Sequence, residues 1–159
     1  MKITHQGFSL IELLIVVAII LIIAAIAIPN LLKSRMAANQ ASAVGSCRGI
    51  TSSEVTYVAM YSQGYAATLS TLGPPSSGQP TPSAAALIDN VLSSGFKSGY
   101  KFVYSAASQD SQGHYQTFTV NANPTNPGIT GNVYYFTDQS DVIRMNTATT
   151  ASASDSPLQ

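Results

Sequence analysis

The feature that most constrains this chain lies near its start. From Phe8 to Ile28 the one charged residue is Glu12, and the sixteen residues 13–28 are all apolar. As a helix, 21 residues reach roughly 31 Å, about the thickness of one hydrocarbon core. Twelve of those sixteen are Ile, Leu or Val, which favours insertion by roughly 4–7 kcal/mol in total, against a cost of about 3 for Glu12 were it central. The segment is therefore predicted to span a lipid bilayer despite its acid. A cleaved secretory signal is the alternative, since Ala25-Ile26-Ala27 offers an A-x-A cleavage pattern. Against it, the apolar run outlasts a typical signal core and carries a carboxylate near its beginning.

Pro29 follows, and by removing a backbone donor and crowding the preceding turn it should end or kink the helix there. Beyond it the pattern stays helical. Val44, Cys47, Thr51, Val55 and Val58 recur at steps of three and four, with Ile50, Tyr57 and Tyr61 alongside. This predicts an amphipathic second half from about residue 30 to 62, stopped near Gly64. A Gly/Pro/Ser-rich loop at 73–83 is flanked by short helical pieces at 68–72 and 84–92. Four strands are then predicted, at 100–105, 115–121, 133–137 and 142–145, with hairpin connections at 108–113 and 138–141 and a longer loop at 123–131. Short links favour an antiparallel sheet. The expected fold class is α+β, with one long N-terminal helix, its first half transmembrane and its second amphipathic, packed on a four-stranded antiparallel sheet. The domain plan is a leader at 1–7, a membrane helix at 8–29, a globular head at 30–145 and a mobile Ser/Thr/Ala-rich tail at 146–159.

The stretch Gly7-Phe8-Ser9-Leu10-Ile11-Glu12-Leu13-Leu14 closely resembles the prepilin cleavage and methylation signature of type IV pilins and pseudopilins. Gly7 ends a short leader carrying Lys2, Phe8 follows, Glu12 is fifth after the cut, and an apolar helix continues. The resemblance is strongest through Pro29 and agrees in outline with the head. It implies cleavage between Gly7 and Phe8 by a membrane-embedded prepilin peptidase and N-methylation of Phe8. It also implies a membrane reservoir from which an ATPase-driven inner-membrane assembly platform builds a helical filament of identical copies. Two features depart from the family. The lone Cys47 cannot close the C-terminal disulfide loop of many pilins. The C-terminal region, with only Asp138, Asp141 and Asp155, lacks the acidic, glycine-rich, calcium-binding segment usual in the major pseudopilin of type II secretion. A pilus subunit is the first expectation, a type II secretion pseudopilin the alternative, and a minor, membrane-anchored binding pilin the second alternative. Counting Lys2 and the amino terminus against Lys33, Arg35 and Arg48 would place the head in the cytoplasm. The resemblance implies the reverse, a single-pass inner-membrane protein with an exported head that becomes a surface fimbrium on assembly.

Glu12 is the most informative single residue. An intramembrane carboxylate points to function because hydrocarbon penalises its charge. It also lies only about 6 Å into the helix, close enough to headgroup water to stay hydrated before assembly. In a dry filament core it needs a cation, and the new amino terminus of a neighbouring Phe8 is the expected one. Cys47, on the apolar stripe, is expected to be a buried thiol. His114 should lie at the surface, and His5 should leave with the leader. Asp138-Gln139-Ser140-Asp141 could hold calcium, but two carboxylates across four residues more commonly make a hairpin turn, so no metal site and no cofactor are expected. Nothing resembles a Ser/His/Asp or Cys/His catalytic set, so the chain is not expected to be an enzyme. With 9% charged residues and a net charge of zero, no nucleic-acid partner is expected either. Between Phe8 and Tyr57 there is no aromatic residue, so the aromatics are read as core packing rather than a conducting stack.

Overall fold

The structure is a computed structural model describing residues 8–158. The chain divides into two compact units, Met1–Arg35 and Met36–Gln159. Helix α1 (Leu10–Tyr61) contributes to both. It starts where local chemistry supplies a start. The Ser9 carbonyl accepts from Leu13 N at 3.2 Å, and the Ser9 N–H donates to Glu12 Oε2 at 2.9 Å. That second bond is the return half of a capping box, in which an acid three residues into the helix satisfies the N–H of the cap residue. Within the first unit the apolar side chains are exposed around the helix from Leu10 to Leu32. Pro29 lies inside α1 without ending it, although its ring nitrogen leaves the Ala25 carbonyl without the usual donor four residues on.

In the second unit α1 becomes one-sided. Ala43, Cys47, Ile50, Glu54 and Tyr57 are buried at alternating steps of four and three, the spacing of a single helix face. The predicted stripe is off by about one residue. Cys47 and Thr51 are buried as expected, but Val55 is 67% exposed and Val44 only half-buried. The reason is Glu54, a charged residue type that apolar counting assigns to solvent but that here occupies the middle of the buried face.

Among the described residues six strands, not the four expected, form one antiparallel sheet in the order β1-β2-β3-β4-β5-β6. They are β1 (Phe96–Lys97), β2 (Tyr100–Gln109), β3 (Tyr115–Pro124), β4 (Tyr134–Asp138), β5 (Arg144–Asn146) and β6 (Ser156–Pro157). The two missed strands are each two residues long, too short to show alternation. β1 turns into β2 through Ser98 and Gly99, at φ 49° and 71°, the paired positive angles of a tight hairpin. At β6, the expected mobile tail instead rejoins the sheet. Asp155 gathers the segment by accepting from Ser152 N at 2.7 Å and Asn146 Nδ2 at 2.9 Å. Leu158 N donates to the Ile143 carbonyl, and Ala151 is buried. The helical piece expected at 84–92 is also shorter. α2 (Asn90–Ser93) begins only after Asp89, whose side chain caps Leu92 N, while Ala85 and Leu87 donate to the Thr71 and Leu72 carbonyls. The piece expected at 68–72 is a 3₁₀ turn, Leu69–Leu72.

The register of β2 and β3 sets Phe102 opposite Ala122 and Tyr104 opposite Val120. Tyr100, Phe102, Phe118, Val120, Ala122 and Tyr135 thus share the face that forms one core with Ala43, Cys47, Ile50 and Tyr57 of α1. On the opposite face Asn121 and Arg144 donate to the carbonyls of Ala151 and Asp155.

Cys47 is fully buried in that core, and burial pushes its thiol up to about 12. At neutral pH the reactive thiolate is therefore scarce even before access is considered. The native protein should label slowly with a thiol reagent and the denatured protein quickly. Rapid labelling of the folded head would show that the helix presents a different face to the sheet.

Candidate processing and assembly site

Of the residues expected to carry processing and assembly, Gly7 lies outside the described residues, as do Lys2 and His5. Phe8 is 79% exposed, just ahead of the first turn of α1. Glu12, in that first turn, accepts from the Ser9 amide, where the positive end of the helix dipole favours a carboxylate. The capping bond is readable from Ser9-x-x-Glu12, the spacing of a capping box. Glu12 thus has a partner within its own helix, and any intermolecular partner must compete with that bond or share the carboxylate. The segment that follows is long and apolar enough to cross a membrane by length and composition.

The head contains a second carboxyl site that sequence reasoning missed. Glu54 Oε2 accepts from Ala66 N at 3.0 Å, and Glu54 Oε1 lies 2.6 Å from Tyr104 Oη. Desolvation by burial raises its affinity for a proton, with the hydrogen bonds from Tyr104 and Ala66 acting in the opposite direction. Tyr104 is raised too, first by burial and then by the neighbouring Glu54. Three separate pieces of chain meet here: α1, the segment after it, and β2. The available signal was that residue 54 falls in step with 43, 47, 50 and 57.

The other sequence candidates are occupied locally. Asp138 Oδ1 accepts from Ser140 N at 2.9 Å, and Asp141 N donates to the Asp138 carbonyl, the bonding of a tight turn. Asp141 Oδ1 accepts from Thr51 Oγ1 at 2.6 Å, tying that turn to α1. Among the described residues no group of three or more His, Cys, Asp or Glu is placed to hold a metal ion. His114 Nδ1 lies 3.3 Å from Asp110 Oδ2 in the β2–β3 turn, where Asp110 Oδ1 accepts from the Gln112 and His114 amides.

Residues 4–28 match the model of the prokaryotic N-terminal methylation motif. The chain is also similar to the type IV wide pilus major component PilA4 of Thermus thermophilus, with 68% identity over 34 residues. That match covers 21% of this chain and 26% of the relative, so the chain spans about a quarter of the length of the curated protein it matches. No solved structure matches the chain. The matching stretch holds Phe8, the capped Glu12 and the apolar first half of α1, so the N-terminal segment carries the prokaryotic methylation motif and is there similar to a type IV pilin.

Proposed function

We propose that this chain is a pilin, a structural subunit of a type IV pilus-like filament. The observation that carries the reading is the Gly7-Phe8 to Glu12 signature joined to a helix whose apolar side chains are exposed all round. Such a surface is stable only in lipid or against other apolar helices. Residues 1–7 then act as a leader that a prepilin peptidase removes between Gly7 and Phe8, leaving Phe8 N-methylated. The segment 8–29 holds the subunit in the inner membrane as a single span, with the head exported, until an assembly platform packs copies into a surface fibre. In this reading Pro29 marks the place where the helix loosens on packing, because the backbone ladder there already lacks one bond. The relative's description as a wide pilus major component favours a pilus over a type II secretion pseudopilus.

Intact-mass measurement of the purified subunit should show loss of residues 1–7 and one added methyl group. A mature chain beginning at Ile28 would instead make the apolar run a removable secretory signal.

Glu12 decides between an assembly role and a merely local one. Transfer from membrane to fibre exchanges lipid for equally apolar helices, so the hydrophobic effect scarcely favours either place. A polar contact must set the register, and the Phe8 amine of a neighbouring mature subunit is the nearest cation in this scheme. Such a buried pair adds little net stability, but removing one partner leaves an uncompensated charge at roughly 3–5 kcal/mol. Glu12→Leu loses both this pairing and the capping bond to Ser9. Glu12→Gln keeps a capping group, since the box accepts Glu or Gln, and loses only the charge. Both variants should insert, be cleaved and fold their heads, and both should yield few sheared surface filaments by electron microscopy. Normal fibre yield from Glu12→Gln together with loss from Glu12→Leu would assign the residue to capping and sink the pairing.

A further inference from the structure

Glu54 Oε1 and the Ala66 carbonyl oxygen converge on a single atom. Tyr104 Oη lies 2.6 Å from the first and 2.7 Å from the second. A phenol has one proton, and a backbone carbonyl has none to give. Two acceptors cannot both take full hydrogen bonds of that length from one O–H, so the remaining proton has to come from the carboxyl. With Glu54 protonated the ring closes: its O–H donates to Tyr104 Oη, Tyr104 O–H donates to the Ala66 carbonyl, and Ala66 N–H donates to Glu54 Oε2. Each donor is then used once.

Among the described residues no cation acts on Glu54 to favour its charged form. The titratable side chains that act on this pair are Tyr57 of α1 and Tyr65 after it, both neutral over the physiological range; Arg48 of α1 and Lys101 of β2 make no ion pair with Glu54. From β3, Phe118 stacks on Tyr104 with ring centroids 5.8 Å apart. The ion pairs among the described residues join Lys97 to Asp89 and His114 to Asp110, and neither includes Glu54.

We propose that Glu54 is a protonated, hydrogen-bond-donating carboxylic acid in the folded head, and that its ionisation as pH rises breaks the hydrogen-bonded ring that joins α1, residue 66 and β2. This ring ties Ala66 to α1 and β2, while the neighbouring Tyr65 is held separately by the Tyr115 carbonyl and the Phe118 ring. Loss of the carboxyl proton leaves one phenolic hydrogen facing two acceptors, and one of the three strands of the ring must open. The inference is independent of the filament reading, since it concerns the head by itself.

The sign follows from the direction of the shift. The folded carboxyl holds its proton above the ordinary value of 4.5, so its contribution to stability is complete below that value and declines as pH rises toward the folded one. In that window the unfolding equilibrium constant should rise by up to about tenfold per pH unit. The full chain in detergent micelles, denatured at a series of pH values, should show this loss in the wild type. Glu54→Gln should show a flat profile there, because its amide can donate to Tyr104 and accept from Ala66. Identical pH slopes for the two proteins would overturn the proposal. A direct readout avoids dependence on that variant's folding. The chain has two glutamates, Glu12 and Glu54, so in a Glu12→Gln chain with ¹³C-labelled glutamate the remaining side-chain carboxyl signal is Glu54. Followed across a pH series, that signal should change from acid to carboxylate at higher pH in the folded protein than in the unfolded one. The same or a lower transition in the folded head would overturn the assignment.

Discussion

One helix has to satisfy two different surroundings, and the rest of the molecule follows from how it does so. Over residues 10–28 α1 is apolar on every side, so any face can meet lipid or another helix. By Ala43 it has narrowed to one buried face, with small residues such as Ser46 and Ala43 beside larger Ile50 and Tyr57. Small side chains let the backbone approach the sheet, and the larger ones join the core with Phe102, Phe118 and Val120. The helix runs from Leu10 to Tyr61 with one backbone bond missing at Pro29. The change lies in which residues occupy a periodicity that continues unbroken.

A head with one cysteine has no disulfide to hold it, so segments outside the helix–sheet core must be fastened by hydrogen bonds. Three fastenings recur, each built on a single acid. Asp141 holds the β4–β5 turn to α1 through Thr51. Asp155 gathers the C-terminal segment around Ser152 and Asn146. Glu54 joins α1, residue 66 and β2. The first two acids lie toward solvent and act by accepting local donors. The third is buried, and there an unpaired charge would be far costlier than a neutral acid with every lone pair and proton in use.

The sequence made the long helix, its two halves and the four longer strands legible, because 3.6-residue and two-residue periodicities need several repeats to be seen. Phe96–Lys97 and Ser156–Pro157 offer no repeat: the first pairs with Tyr100–Lys101 across a two-residue turn and the second with Arg144–Met145. The C-terminal segment misled for a related reason. Its Ser, Thr and Ala composition carries no core signal, and its order comes from one aspartate that reaches back to Asn146 and Ser152. Gly7, Phe8 and Glu12 stood out through a compact local pattern. Glu54 did not: its step with 43, 47, 50 and 57 marks the buried face, but the phenol and backbone carbonyl that complete its ring lie on other segments.

The two glutamates of α1 show how one helix can carry acids through apolar surroundings by opposite means. Glu12 sits at the helix start, where unpaired amides and the dipole stabilise a charge and where the Ser9 N–H is already in place. Its charge is therefore cheap while the helix end remains near water and becomes demanding only if neighbours seal it off. Glu54 sits in mid-helix, where α1 has already used its own amides and can offer the acid nothing. Its donors must come from elsewhere in the fold, and the geometry around Tyr104 supplies one proton too few for an anion. The position of each acid along the helix thus sets its chemistry: the first can remain charged and seek a partner outside the subunit, while the second is satisfied within it only as a neutral group.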